Sequence, residues 1–243
     1  LSSSATAAGS SSITLTVPAG NSGTSTFYVQ ALDRTGSVTL TATATGYATG
    51  TSTVTLVPSG FANLTGAINT TTLSADTTLS IYPARLNPST LAYATNQALR
   101  GGLTVNIPVT SSDTTVGTIV GSPAVINGNQ TFTTTASFHP ISAGTTTISL
   151  GVPAGFDTPS NYQQITANVS APALTMSNQT IGKDLQVGLS VSLGAPAPTG
   201  GLSVTITSSD NAKVLLSTSA TAAGSSSITL TVPAGNSGTS TFY

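Results

Sequence analysis

The sequence predicts an all-β chain of tandem β-sandwich domains with essentially no helix. Apolar and small polar residues alternate along much of its length, which is the pattern of half-buried strands. Turn signals such as Pro18-Ala19-Gly20-Asn21, Asn127-Gly128, Pro153-Ala154-Gly155 and Pro196 to Gly201 punctuate it at roughly 8–12-residue spacing. Helix formers are scarce: all six acids are Asp, Glu is absent, and Ser and Thr fill about a third of the 243 residues. Thr and Val instead favour pleated surfaces.

The expected strands follow in order. Ile13, Leu15 and Val17 alternate first, then Phe27, Val29 and Ala31. Val38, Leu40 and Ala42 form the next, and Val54 with Leu56 another. Strands are then expected near Leu79 and Ile81, over Leu103 to Val109, Phe132 to Phe138, Thr146 to Val152, and Ile165 to Val169. The clearest alternation is Leu185, Val187, Leu189, Val191 and Leu193; Leu202, Val204 and Ile206 follow, then Ile228, Leu230 and Val232. Many short strands at this spacing mean a sandwich or a barrel.

An internal repeat sets the domain organisation. Leu1 to Tyr28 and Leu216 to Tyr243 are the same 28 residues except for Ser3 against Thr218, at an offset of 215. The chain therefore reads as one period of a tandem array plus a short overlap into the next. A weaker repeat lies inside the period. Gly200-Gly201-Leu202-Ser203-Val204-Thr205-Ile206 leads to Ser208-Ser209-Asp210, as Gly101-Gly102-Leu103-Thr104-Val105-Asn106-Ile107 leads to Ser111-Ser112-Asp113. The half-period of about 100 residues suits one small sandwich. The expected division is residues 1–61 as the C-terminal part of a domain A, 62–171 as a complete domain B, and 172–243 as the N-terminal part of the next A. The joins, Pro58-Ser59-Gly60-Phe61 and Ser170-Ala171-Pro172-Ala173, are short and contain Pro, which favours a semi-rigid rod.

The Ser-Ser-Asp turn of 111–113, followed by Ala143-Gly144-Thr145-Thr146-Thr147-Ile148, resembles bacterial immunoglobulin-like (Big-type) tandem repeat domains. The run Thr39 to Leu56 is similar to the closing strands of such modules. The resemblance implies Ig-like sandwiches of large secreted adhesins, stalks or surface filaments, at the cell surface or outside it. It is a fold-level likeness and brings no site residues with it.

Composition excludes several functions. With five Lys and Arg, six Asp and a net charge of −1, the chain has no basic surface for nucleic acid or anionic lipid. It has no Cys, so disulfides and thiolate chemistry are absent. Ser, Thr, Gly or Asn interrupts every apolar run well short of a membrane span.

No catalytic, cofactor-binding or metal-ligating residue is expected. His139 is the only histidine and Ser137 lies nearby, but no G-x-S-x-G elbow accompanies them. Asp33, Asp76, Asp113, Asp157, Asp184 and Asp210 are widely spaced and fall mostly at turns, whereas calcium needs clustered oxygens. A Lys–Asn cross-link has only Lys183 and Lys213 to draw on, both in A. N-x-[ST] sequons at Asn63, Asn69, Asn129, Asn168 and Asn178 number about what this Ser/Thr content produces by chance. Thr-rich runs at 39–45 and 131–135 read as plain β-formers. Arg34, Arg85, Arg100, Lys183 and Lys213 are the only trypsin-type sites.

Scarce charge does carry a functional expectation. Proteins usually blunt sheet edges with Lys, Pro or inward charge, and this chain has little to spend there. Self-association through edge strands is the expected partner mode. The sequence thus reads as a non-enzymatic structural repeat without cofactors, whose partner is itself. An adhesin-type module recognising a glycan or cell-surface partner is the alternative.

Overall fold

The computed structural model describes residues 1–243. It is all-β, without a helix, and its strands form several small sheets around sandwich-like cores. The strands in chain order are β1 Ser37–Ala42, β2 Gly50–Thr55, β3 Ser59–Asn63, β4 Ile68–Thr71, β5 Thr77–Thr78, β6 Ile81–Leu86, β7 Tyr93–Asn96, β8 Thr104–Ile107 and β9 Val109–Ser111. They continue as β10 Gly117–Val120, β11 Ala124–Asn127, β12 Ser137–Pro140, β13 Gly144–Leu150, β14 Gln164–Ser170, β15 Leu174–Thr175, β16 Ser192–Leu193, β17 Leu202–Thr207 and β18 Ser227–Val232. The chain divides into two compact units, Leu1–Asn69 with Asp76–Asn168, and Thr70–Ala75 with Val169–Tyr243.

In the first unit the alternation works as the sequence predicts. Along β14 every second residue, Ile165 and Ala167 among them, turns inward. Along β13, Thr146, Ile148 and Leu150 do the same. Leu79, Ile81, Ile107, Ile126, Phe138 and Ile148 are fully buried and fill the core. Three-stranded sheets β3-β6-β7 and β10-β12-β5, the four-stranded order β4-β14-β13-β9 and the pair β11-β8 enclose it. The run from Thr104 to Ser111 pairs with two different strands. β8 takes β11 in the register Ile107 opposite Ala124, and beyond Pro108, β9 takes β13 with Ser111 opposite Ile148.

In the second unit β17 and β18 run antiparallel over six residue pairs, from Leu202 opposite Val232 to Thr207 opposite Ser227. Val204, Ile206, Ile228, Leu230 and Val232 turn to one side and pack with Val191, Ala197 and Phe242.

The structure departs from the sequence reading at several places. Ile13–Val17 and Phe27–Ala31 form no strand beyond a single bridge from Tyr28 to Ser2. Their second copies do find a core, and Phe242 is 1 % exposed where Phe27 is 41 % exposed. The 28 residues are nearly identical, so the difference lies in their surroundings. In the second copy Ser227–Val232 pairs along Leu202–Thr207. The long strand expected over Leu185–Leu193 shortens to β16 and a bridge at Leu189, and Phe132–Ala136 keeps only a bridge from Thr133 to Ile81. The stretch Ser59–Phe61, read from sequence as a link, is part of β3 and is paired along β6.

Local geometry, in contrast, is the same in both copies. Ser2 and Tyr28 exchange backbone hydrogen bonds of 2.9 and 2.8 Å, and Ser217 and Tyr243 do so as well. Ser2 Oγ donates to the Ser4 carbonyl at 2.8 Å, as Ser217 Oγ does to Ser219. The Pro-Ala-Gly turn closes alike three times. Asn21, Phe156 and Asn236 donate to the carbonyls of Pro18, Pro153 and Pro233, with Gly20, Gly155 and Gly235 at φ of 81 to 87°. That is the type II turn, whose third residue needs positive φ.

Candidate functional site

The Ser-Ser-Asp motif singled out in the sequence is a structural clip. Thr146, buried on β13, accepts a hydrogen bond from the Asp113 backbone N–H at 2.9 Å, and its hydroxyl meets those of Ser111 at 2.8 Å and Ser112 at 3.1 Å. Ser112 Oγ in turn accepts from the Thr147 N–H. The Asp113 carboxylate turns back on its own loop and accepts from the Thr115 hydroxyl at 2.6 Å and the Thr115 N–H at 2.9 Å. These two bonds, the hydroxyl's first, hold its pKa below the ordinary 3.8. Asp210 makes the matching turn in the second unit, accepting from the Ala212 N–H, and its carboxylate pairs with Lys213. Both aspartates are engaged in turns, in keeping with their predicted role.

His139 and Asp76 come together, Nδ1 to Oδ1 at 2.7 Å, with both side chains substantially exposed. Ser137 shares the strand and, two residues away, the face, but makes no hydrogen bond to His139. The nucleophile–base bond that hydroxyl catalysis requires is therefore not formed. No three His, Cys, Asp or Glu side chains gather in one place. Arg34 pairs with Asp157.

The sequons separate into open and closed. Asn63 lies in β3 with no exposed surface, its Oδ1 accepting from the Thr65 N–H and its Nδ2 without a partner. That amide cannot receive a glycan in the folded chain. Asn69 and Asn168 are exposed but bonded to each other at 3.0 Å, and Asn129 and Asn178 are exposed.

An open groove of about 710 Å³ lies beside Asn63, lined by Tyr93, Thr147, Tyr162, Gln164 and Thr166 among others. Tyr93 and Tyr162 meet edge to face at 5.6 Å between ring centres. Tyr162 adopts φ of 60°, which aims its carbonyl at the Asn63 N–H, 2.7 Å away. A second aromatic pair, Tyr82 with Phe132, stacks at 5.7 Å. Sequence reading found neither pair. The partners lie 69 and 50 positions apart, and no short motif marks them.

No helix of the structure is long and apolar enough to cross a membrane. No family model and no curated protein matches the sequence. Among solved structures, the chain is similar to domains 4–9 of the surface layer protein SbsC, at 14% identity and a TM-score of 0.32 over 84% of this chain and 31% of that one. It is also similar to domains 1–6 of the same protein, at 16% identity and a TM-score of 0.33 over 82% of this chain and 25% of that one. The chain spans about a third or less of the length of these structures.

Proposed function

We propose that the chain is a structural repeat segment of an extracellular, cell-surface stalk or filament, without catalytic activity, built by tandem stacking of Ig-like sandwiches and held partly by edge-strand pairing. The observation that carries this reading is the 28-residue sequence present twice at an offset of 215, with a core around its second copy. Alternation of two sandwich types keeps near-identical copies of A apart, which lowers the risk of misassembly between neighbours. The charge-poor, Ser/Thr-rich strands suit close packing of chains.

Electron microscopy of native material tests the proposal. Two stacked sandwiches, each about 40 Å long at about 3.3 Å per strand residue plus loops, give an expected axial repeat near 80 Å. Threads without such a period, ending in a distinct globular tip, overturn the filament reading.

The Tyr93–Tyr162 groove favours one second reading, an adhesin-type module. Two aromatic rings beside Gln164 and Thr166 offer the apolar faces and hydroxyl partners that a sugar ring uses. Glycan-array binding that Tyr162→Ala abolishes supports it; a blank array removes it.

A further inference from the structure

Asn127-Gly128 is the only Asn-Gly step in the chain. It lies in the turn that ends β11. The Gln130 N–H donates to the Asn127 carbonyl at 3.0 Å, and Asn129 takes φ of 70°. These are the marks of a type II turn with Gly128 at its second position. Glycine is needed there for space, because a Cβ would sit 3.0 Å from the Arg100 carbonyl oxygen. Being glycine, it also puts no side chain in front of its own backbone nitrogen.

Asn127 is exposed, and its side-chain carbonyl is held from across the strand pair. Thr104, directly opposite in the β11–β8 register, donates its hydroxyl to Asn127 Oδ1 at 2.9 Å. The Asn127 N–H is taken up by Gln130 Oε1 at 2.6 Å. The Gly128 N–H, in contrast, has no hydrogen-bond partner in the turn. An unengaged backbone nitrogen thus follows directly on a polarised side-chain amide, the spacing that closes a five-membered ring. The Thr104 hydroxyl stands where negative charge would collect on Oδ1 during attack.

We propose that Asn127 is a site of spontaneous modification by water, its amide becoming an acid through a ring closed on Gly128, with the Thr104 hydroxyl promoting closure. The Gly128 nitrogen forms a bond to Asn127 Cγ and gives up its proton, and the side-chain nitrogen leaves as ammonia. Water then opens the cyclic imide at either of its two carbonyls. One opening gives Asp and the other an isoaspartyl linkage, with nothing oxidised or reduced. The product adds one negative charge to a chain of net charge −1. That charge lies at the end of β11, whose only strand partner is β8. Charge at a strand edge opposes pairing with another chain, so conversion works against self-association as the protein ages.

The test incubates the folded full chain in mildly alkaline buffer made with heavy-oxygen water, and follows each asparagine by peptide mass spectrometry. We expect Asn127 to convert several-fold faster than Asn21 and Asn236, the two asparagines followed by Ser. Its product should be a mixture of Asp and isoaspartate carrying oxygen from the labelled water. Thr104→Val should slow the conversion about tenfold, and Thr104→Ser, which keeps the hydroxyl, should restore the native rate. Thr104 is exposed, so neither change disturbs the core. Three results each overturn the proposal: no preference for Asn127 over Asn21 and Asn236, Asp as the sole product, or Thr104→Val converting at or above the native rate. None of these outcomes depends on the filament reading.

Discussion

Val17 and Val232 occupy one position in two copies of the same 28-residue sequence, yet Val232 is fully buried and Val17 is 44 % exposed. The side chain is identical and its surroundings differ: Val232 pairs opposite Leu202 and packs in a core, whereas Val17 lies in no strand. Val232→Ala should therefore lower stability by about 2 kcal/mol through lost burial and a residual cavity. Val17→Ala should stay within about 0.5 kcal/mol. Chemical denaturation of the two variants compares them directly, and equal losses would mean that both copies are packed in solution.

The Thr146 hydroxyl should matter more than its size indicates. Thr146→Val keeps the shape but leaves the Asp113 N–H without its acceptor, at an expected cost of about 1–3 kcal/mol. Thr146→Ser should recover most of the loss. If valine is tolerated as well as serine in urea unfolding, the clip contributes nothing.

Asp113 gives a pH signature with a definite sign. Its folded pKa lies below 3.8 because Thr115 donates two hydrogen bonds to it. The stabilisation is thus fully present above that ordinary value and is lost as pH falls through the lower folded value. The stability gap between the native chain and Asp113→Asn should be flat from pH 5 to 8 and close in more acid solution. A gap that widens on acidification contradicts the assignment.

Two glycines should respond differently to alanine. At Gly155, φ of 86° strains any side chain, but the space is open, so Gly155→Ala should cost about 1–2 kcal/mol. At Gly121, φ of 76° combines with a Cβ position that overlaps the Thr135 carbonyl, and the loss should be larger, of order 3 kcal/mol. Thermal unfolding ranks the two.

His139→Ala should change stability by less than about 1 kcal/mol, because its pairing with Asp76 is solvent-exposed. A larger loss in calorimetry would assign the pair a structural role that its exposure does not suggest.

The sequence made legible whatever depends on local pattern. Alternation located β13, β14, β17 and β18, and Pro-Ala-Gly located two of the three equal turns. It over-read Ile13–Val17, because alternation records a strand's readiness and not the presence of its partner. It missed β10 and β11, four residues each and separated only by Gly121-Ser122-Pro123, which are too short to show a period. The candidate groove was invisible for a related reason. Tyr93 and Tyr162 meet through tertiary packing, and neither has a neighbour in sequence that marks it. The expectation of turn-bound aspartates held at Asp113 and Asp210 because an Asx turn is written within three residues.

The clasp between Ser2 and Tyr28, repeated at Ser217 and Tyr243, forms whether or not the block finds a sheet to join. Gathering a loop of that length costs about 3 kcal/mol of chain entropy before any constant term. In both copies the clasp is closed within the block, so the block itself offsets that cost. In an array of the kind proposed, every repeat would then reach its neighbour as a prefabricated part, and assembly would proceed by joining finished pieces instead of threading slack chain.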